Sequence, residues 1–143
     1  MAAPQPVSTR AEGGRCVLIV EDNPLNMKLF SAMIAAQGYE ALQASDGSSA
    51  LALARERHPD LIIMDLQLPD MSGLDVAHSL KQDPDTREIP IIATTAYALR
   101  GDEATIRASG CDGYMAKPIA ISEFLELIES FMPRAPQTRR YAV

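Results

Sequence analysis

Three acids in this sequence stand where acids are seldom found. Glu21 and Asp22 follow the apolar run Cys16-Val-Leu-Ile-Val20, and Asp65 follows Leu61-Ile-Ile-Met64. Carboxylates rarely close buried apolar strands without a partner or a task. Gathered together they repel one another and favour their protonated forms, so such a cluster needs positive charge. Lys117, after another short apolar stretch, supplies one charge and leaves two negative charges over. A divalent ion cancels them, and an all-oxygen donor set that keeps some water suits Mg²⁺. Asp65, the central acid, is then placed to attack phosphorus and form an aspartyl phosphate. The metal and Lys117 would spread the charge on the phosphoryl oxygens. Thr95, after a fourth apolar run, offers a hydroxyl to one of those oxygens.

For these residues to meet, the elements before them must lie side by side. Short apolar runs at Cys16–Val20, 61–64 and 91–94 read as strands covered on both faces. Glu40–Ala44 reads as a weaker strand at or near an edge, and Gly113–Ala116 as a fifth strand. Helices are expected between them. Asn23-Pro24 opens the first, with Leu29, Phe30, Met33 and Ile34 as its apolar stripe and Gly38 at its end. The second follows Asp46-Gly47, carries Ala50, Leu51 and Ala54, and stops before Pro59. The third spans 72–81 with Leu74, Ala77 and Leu80 inward. The fourth spans 99–109 with a thin stripe and should be the least firmly docked. The last carries Ile121, Phe124, Leu125, Ile128 and Phe131 at helical spacing. Five alternating pairs with right-handed crossovers predict an α/β, (βα)5 flavodoxin-like fold with a parallel sheet in the order 2-1-3-4-5. In that order strands 1 and 3 adjoin at the switch point, where ligands bind beyond the carboxyl ends.

Length and composition narrow the class. The 143 residues suit one domain, and a hydrophobic share of 47% is enough for a packed core. A formal charge of −6 argues against nucleic acid or an anionic membrane as a direct partner. Cys16 and Cys111 form no CxxC pair and read as reduced, buried thiols. No apolar run approaches the ~20 residues of a membrane span, and residues 1–14 lack the order of a secretory signal. A cytoplasmic protein is expected. Residues 1–14 read as a disordered arm, 15–132 as the domain, and 133–143 as a loose tail carrying Arg134, Arg139 and Arg140.

Four segments in order, Val17-Leu-Ile-Val-Glu-Asp-Asn-Pro24, Ile63-Met-Asp-Leu-Gln-Leu-Pro-Asp-Met-Ser-Gly73, Thr94-Thr-Ala96 and Tyr114-Met-Ala-Lys-Pro118, resemble the successive motifs of the response-regulator receiver family. The resemblance covers about 15–132. It implies that Asp65 is the phosphoacceptor and that Asp22, Asp65 and the backbone carbonyl of Gln67 bind Mg²⁺ (Mn²⁺ being an alternative), with Glu21 acting through water. It implies Thr95 and Tyr114 as the switch pair, Lys117 as the phosphate-pairing lysine, a cis bond to Pro118, and Gly73 as the loop glycine. Gln67 and Tyr97 match positions that tune the lifetime of the phosphorylated state. The implied partners are a sensor histidine kinase or phosphotransferase, and a downstream protein bound through the helix 4–strand 5–helix 5 face of a monomer or weak dimer. Glu21-Asp-Asn-Pro-Leu-Asn-Met-Lys-Leu-Phe30, Ala36-Gln-Gly-Tyr-Glu40 and Gly110-Cys-Asp-Gly-Tyr114 are similar to stand-alone members that act in cell division. With only a short tail after the last helix, the signal is expected to leave by protein contact and not through an output domain.

Other classes fit less well. An aspartate-nucleophile phosphatase usually carries a second Asp two residues on, where Gln67 cannot transfer a proton. A nucleotide or flavin carrier would follow its first strand with a glycine-rich loop, not with Glu21-Asp22. A phosphorylation-independent adaptor would not need the full acid set. Thr94, the rival of Thr95, reads as a strand residue packing on the sheet. His58 and His78 read as surface helix residues without metal or catalytic spacing.

Overall fold

The computed structural model describes residues 15–96 and 102–132. The two expected arms and Tyr97 lie outside them. Strands β1 (Cys16–Val20), β2 (Glu40–Ala44), β3 (Leu61–Asp65), β4 (Ile91–Thr95) and β5 (Gly113–Ala116) alternate with helices α1 (Pro24–Ala36), α2 (Gly47–Arg57), α3 (Gly73–Gln82), α4 (Asp102–Ala108) and α5 (Ile121–Phe131). The strands pair in parallel in the order β2-β1-β3-β4-β5, so β2 is an edge and β1 adjoins β3, as expected.

Continuous apolar strands have two faces to cover, and two cores cover them. Cys16, Leu18 and Val20 of β1 face one core with Ala50 and Ala54 of α2, Val76, Ala77 and Leu80 of α3, and Ile106 of α4. Val17 and Ile19 face the other with Met27, Phe30 and Ile34 of α1 and Phe124 and Ile128 of α5. Phe30 and Phe124 stack there with ring centroids 5.2 Å apart. Burying each such side chain contributes roughly 1.5–3 kcal/mol.

The helix ends follow the local chemistry. Asn23 accepts from the Asn26 N–H, Asp46 from Ser49 and Ser72 from Leu74, each capping its helix, and Pro24 opens α1. His58 is not a helix-face residue: it caps α2 in the left-handed region at φ 47°.

Two apolar stripes differ from expectation. Leu29 is 45% exposed, and Met27 takes its place in the core, because the buried row runs 27, 30, 33, 34. Ile121, at the first turn of α5, is 55% exposed, and its helix anchors through Phe124 and Ile128. For the fourth helix, 102–108 is helical and the expected start lies outside the described residues. Both cysteines are free and buried. Among the described residues no helix is long and apolar enough to cross a membrane.

Candidate functional site

The parallel register brings the ends of four strands into line. β3 runs one residue and β4 two residues beyond the last apolar side chain, because Asp65 pairs with Thr94 and Thr95 with Ala116. Asp65 and Thr95 thus close their strands beside the loops that leave β1 and β5. Glu21 is held at the end of β1, its N–H donating to the Ala44 carbonyl at 3.0 Å.

At this edge Glu21, Asp22 and Asp65 each offer a carboxylate oxygen, and these oxygens lie within 4.8 Å of one another. Glu21 and Asp65 are buried and Asp22 is exposed, so the cluster opens to solvent on the side of Asp22. Nζ of Lys117 lies 3.1 Å from Oδ2 of Asp65 and 3.3 Å from Oε1 of Glu21. The Lys117–Pro118 peptide bond is cis, as the resemblance implied.

Each buried acid is held by backbone as well. Asp65 Oδ1 accepts the Gln67 N–H at 3.0 Å. Glu21 Oε2 accepts the Asn23 N–H at 3.1 Å and, more loosely, Asn26 Nδ2 at 3.5 Å. Burial first, and then the neighbouring Asp65 charge, push the Glu21 carboxyl above its ordinary range, while the Asn23 N–H and Lys117 partly offset them. One ammonium against three carboxylates leaves the cluster short of positive charge. The donor set is all oxygen, so the site suits a hard divalent cation such as Mg²⁺.

The loop after β3 turns back tightly on the strand end. Gln67 and Ser72 form an isolated bridge, and the Gly73 N–H donates to the Leu66 carbonyl at 3.0 Å. A Cβ on Gly73 would collide with the Asp65 carbonyl oxygen and lie 2.7 Å from Cα of Leu66. Only glycine lets α3 start so close to the strand end.

Of the residues singled out by sequence, Glu21, Asp22, Asp65 and Lys117 come together. Thr95 is buried one residue beyond Asp65's partner in the ladder, and it lines a small cavity of about 200 Å³ with Leu66, Gln67 and Ile106. Tyr114 is half-buried on β5 opposite Ala93.

A family model described as the response regulator receiver domain matches residues 17–129. This chain belongs to the response regulator receiver family. Receivers accept phosphoryl groups from histidine kinases and signal to downstream proteins. The chain is 54% identical over 118 residues to the polar-differentiation response regulator DivK of Brucella ovis, covering 82% of this chain and 96% of that one. Among solved structures, it resembles the receiver domain of the sensor histidine kinase PA1611 of Pseudomonas aeruginosa at 34% identity and TM-score 0.76. That match covers 82% of this receiver and 97% of the other, whose structure holds a magnesium ion in the active-site cleft. The chemotaxis protein CheY4 of Vibrio cholerae matches at 26% identity and TM-score 0.79, over 83% and 99% of the two chains.

Several supports of this receiver's site were not singled out in the sequence. Asn26 reaches back to Glu21 along the first turn of α1. Asp70 accepts from the Gly47 N–H at 2.7 Å and the Ser48 N–H at 3.1 Å, tying the β3–α3 loop to the start of α2. The signal for Asn26 is its five-residue spacing from Glu21. Asp70 lies 23 residues from its partner and leaves no local trace.

Proposed function

We propose that this receiver takes a phosphoryl group from the phosphohistidine of a sensor histidine kinase or phosphotransferase onto Asp65. The gathering of three carboxylates at the switch point, two of them paired with the Lys117 ammonium, carries this reading. A carboxylate oxygen of Asp65 attacks phosphorus, the P–N bond breaks, and the imidazole leaves with its electron pair. Asp22, Asp65 and the Gln67 carbonyl would hold Mg²⁺, Mn²⁺ being an alternative, with Glu21 acting through water. When bound, the ion would supply charge neutralisation for the phosphoryl oxygens. Lys117 pairs with one of those oxygens, and Thr95 donates its hydroxyl to another. Hydrolysis of the aspartyl phosphate by water returns Asp65 and inorganic phosphate. The residues that accept the group also assist its loss, and Gln67 and Tyr97 tune the lifetime.

Thr95 and Tyr114 carry the switch from the site to the α4–β5–α5 face, where a downstream protein docks on a cytoplasmic monomer or weak dimer. The likeness to DivK supports a role in cell-division and polarity control. Residues 15–132 form the receiver, and 1–14 and 133–143 flank it.

The test is transfer from a purified histidine kinase autophosphorylated with radiolabelled ATP. Label should leave the kinase and appear on the wild-type chain but not on Asp65→Asn. Equal labelling of both would overturn the assignment.

A further inference from the structure

Two carboxylates meet the start of α2. Asp46 is the local cap and accepts the Ser49 N–H at 2.8 Å. The Gly47 and Ser48 N–H groups, which a helix leaves without internal partners, go to Asp70. Its Oδ1 accepts from Gly47 at 2.7 Å. Its Oδ2 accepts from the Ser48 N–H and from the Ser48 hydroxyl, each at 3.1 Å. Asp70 is exposed, and an exposed acid is ordinarily solvated. Both oxygens of this one are committed to groups 22 and 23 residues earlier in the chain. Bonds to an ionised acceptor are the stronger kind.

The helix does not need so distant a cap to begin, because water also serves exposed helix ends. The loop that carries Asp70 gains more. Backbone N–H groups fix its base: Gln67 donates to Oδ1 of Asp65 and Gly73 to the Leu66 carbonyl, each at 3.0 Å. Its far side rests on α2, where a Cβ on Gly47 would collide with Cγ and Sδ of Met71. The start of α2 in turn follows β2, whose Ala44 carbonyl accepts the Glu21 N–H at 3.0 Å. Asp70 therefore joins the segment that holds the Glu21 backbone to the loop that holds the Asp65 carboxylate.

We propose that Asp70 is a positioning residue of the acceptor site: its clamp on α2 fixes the backbone of the β3–α3 loop, Gln67 included, against the buried acids. Asp70 itself takes no part in the chemistry. Without the clamp the loop is held at its base alone and opens more readily. Groups that orient a cation's ligands from outside typically change affinity by about 10–100-fold when removed, and Asp70, one step further out, belongs at the low end. That effect on the cation rests on the role of the Gln67 carbonyl in the proposed function; the effect on the loop does not.

Asp70→Ala and Asp46→Ala each remove one cap from the same helix end, but only the first frees the loop. In the metal-free full chain, the Gln67 and Gly73 amides should lose protection from hydrogen exchange in Asp70→Ala. They should keep it in Asp46→Ala, where Ser49 should lose protection instead. Asp70→Asn keeps one acceptor oxygen and should fall between; it also serves if alanine unfolds the chain. Titration with Mg²⁺, followed by amide shifts, should give a Kd raised about tenfold in Asp70→Ala and unchanged in Asp46→Ala. Wild-type protection of Gln67 and Gly73 in the Asp70 variants overturns the proposal. So does an equal loss in Asp46→Ala, which would make Asp70 a cap of α2 and no more. Lost protection with Mg²⁺ affinity at the wild-type level overturns it too, because the loop would then not be positioned for the site. A wild-type chain that takes up no Mg²⁺ would count against the proposed function alone, since exchange in the metal-free chain still decides the clamp.

Discussion

Nζ of Lys117 stands 3.1 Å from Oδ2 of Asp65, a residue 52 positions earlier in the chain. The same ammonium reaches Glu21, so one cation serves both buried acids. Lys117→Met keeps the length of the side chain and removes the charge. Losing one such preorganised donor to a developing oxyanion costs about 10²-fold or more in rate. Stopped-flow phosphorylation by a small phosphodonor should show a loss of about that size. A rate close to wild type would remove Lys117 from the chemistry.

Gly73 tests how closely the α3 start must approach the acid. Its missing Cβ would meet the backbone of Asp65 and Leu66, and backbone atoms yield less easily than a side-chain tip. Gly73→Ala should lower the unfolding free energy by about 1–3 kcal/mol, as overpacking does. It should also slow phosphorylation by displacing the Asp65 backbone. Denaturant titration and phosphorylation kinetics measure the two effects, and unchanged values in both would contradict the packing described.

Asp70 gives a pH-dependent prediction. The Gly47 N–H, followed by further bonds from Ser48, holds its carboxyl below the ordinary value of 3.8. A carboxyl with a depressed folded pKa contributes stability that is present above the unfolded pKa and lost as pH falls through the folded one. Asp70→Asn should therefore lower the thermal midpoint at neutral pH. The gap to wild type should close as pH drops below 3.8. A gap that persists unchanged in acid would show that the charge is irrelevant to this cap.

Thr94 carries a buried hydroxyl with no hydrogen-bond partner among the described residues. An unsatisfied buried hydroxyl costs about 1–3 kcal/mol. Thr94→Val keeps the shape and should raise the chemical denaturation midpoint by the equivalent of about 1 kcal/mol. A lower midpoint would show that the hydroxyl has found a partner in solution.

How far the sequence discloses this molecule follows from the range of each interaction. The bounds of β1, β2 and β5 can be read from the local sequence. The last residues of β3 and β4 cannot, because Asp65 and Thr95 are strand residues only through pairing with Thr94 and Ala116. The acids and Lys117 stand out because each ends or follows an apolar stretch. Leu29 misleads, since apolar type alone does not say which side of α1 meets the sheet. The cap from Asp70 to α2 joins residues 23 apart and exists only in the folded chain.

The most direct measurement is the intact mass of the full chain after incubation with acetyl phosphate, with Mg²⁺ and with excess chelator. Wild type should gain one phosphoryl group only when Mg²⁺ is present, and Asp65→Ala should gain none in either condition. A phosphoryl group on Asp65→Ala, or equal gain by wild type without the metal, would show that the cluster of Glu21, Asp22, Asp65 and Lys117 is not a metal-assisted acceptor site.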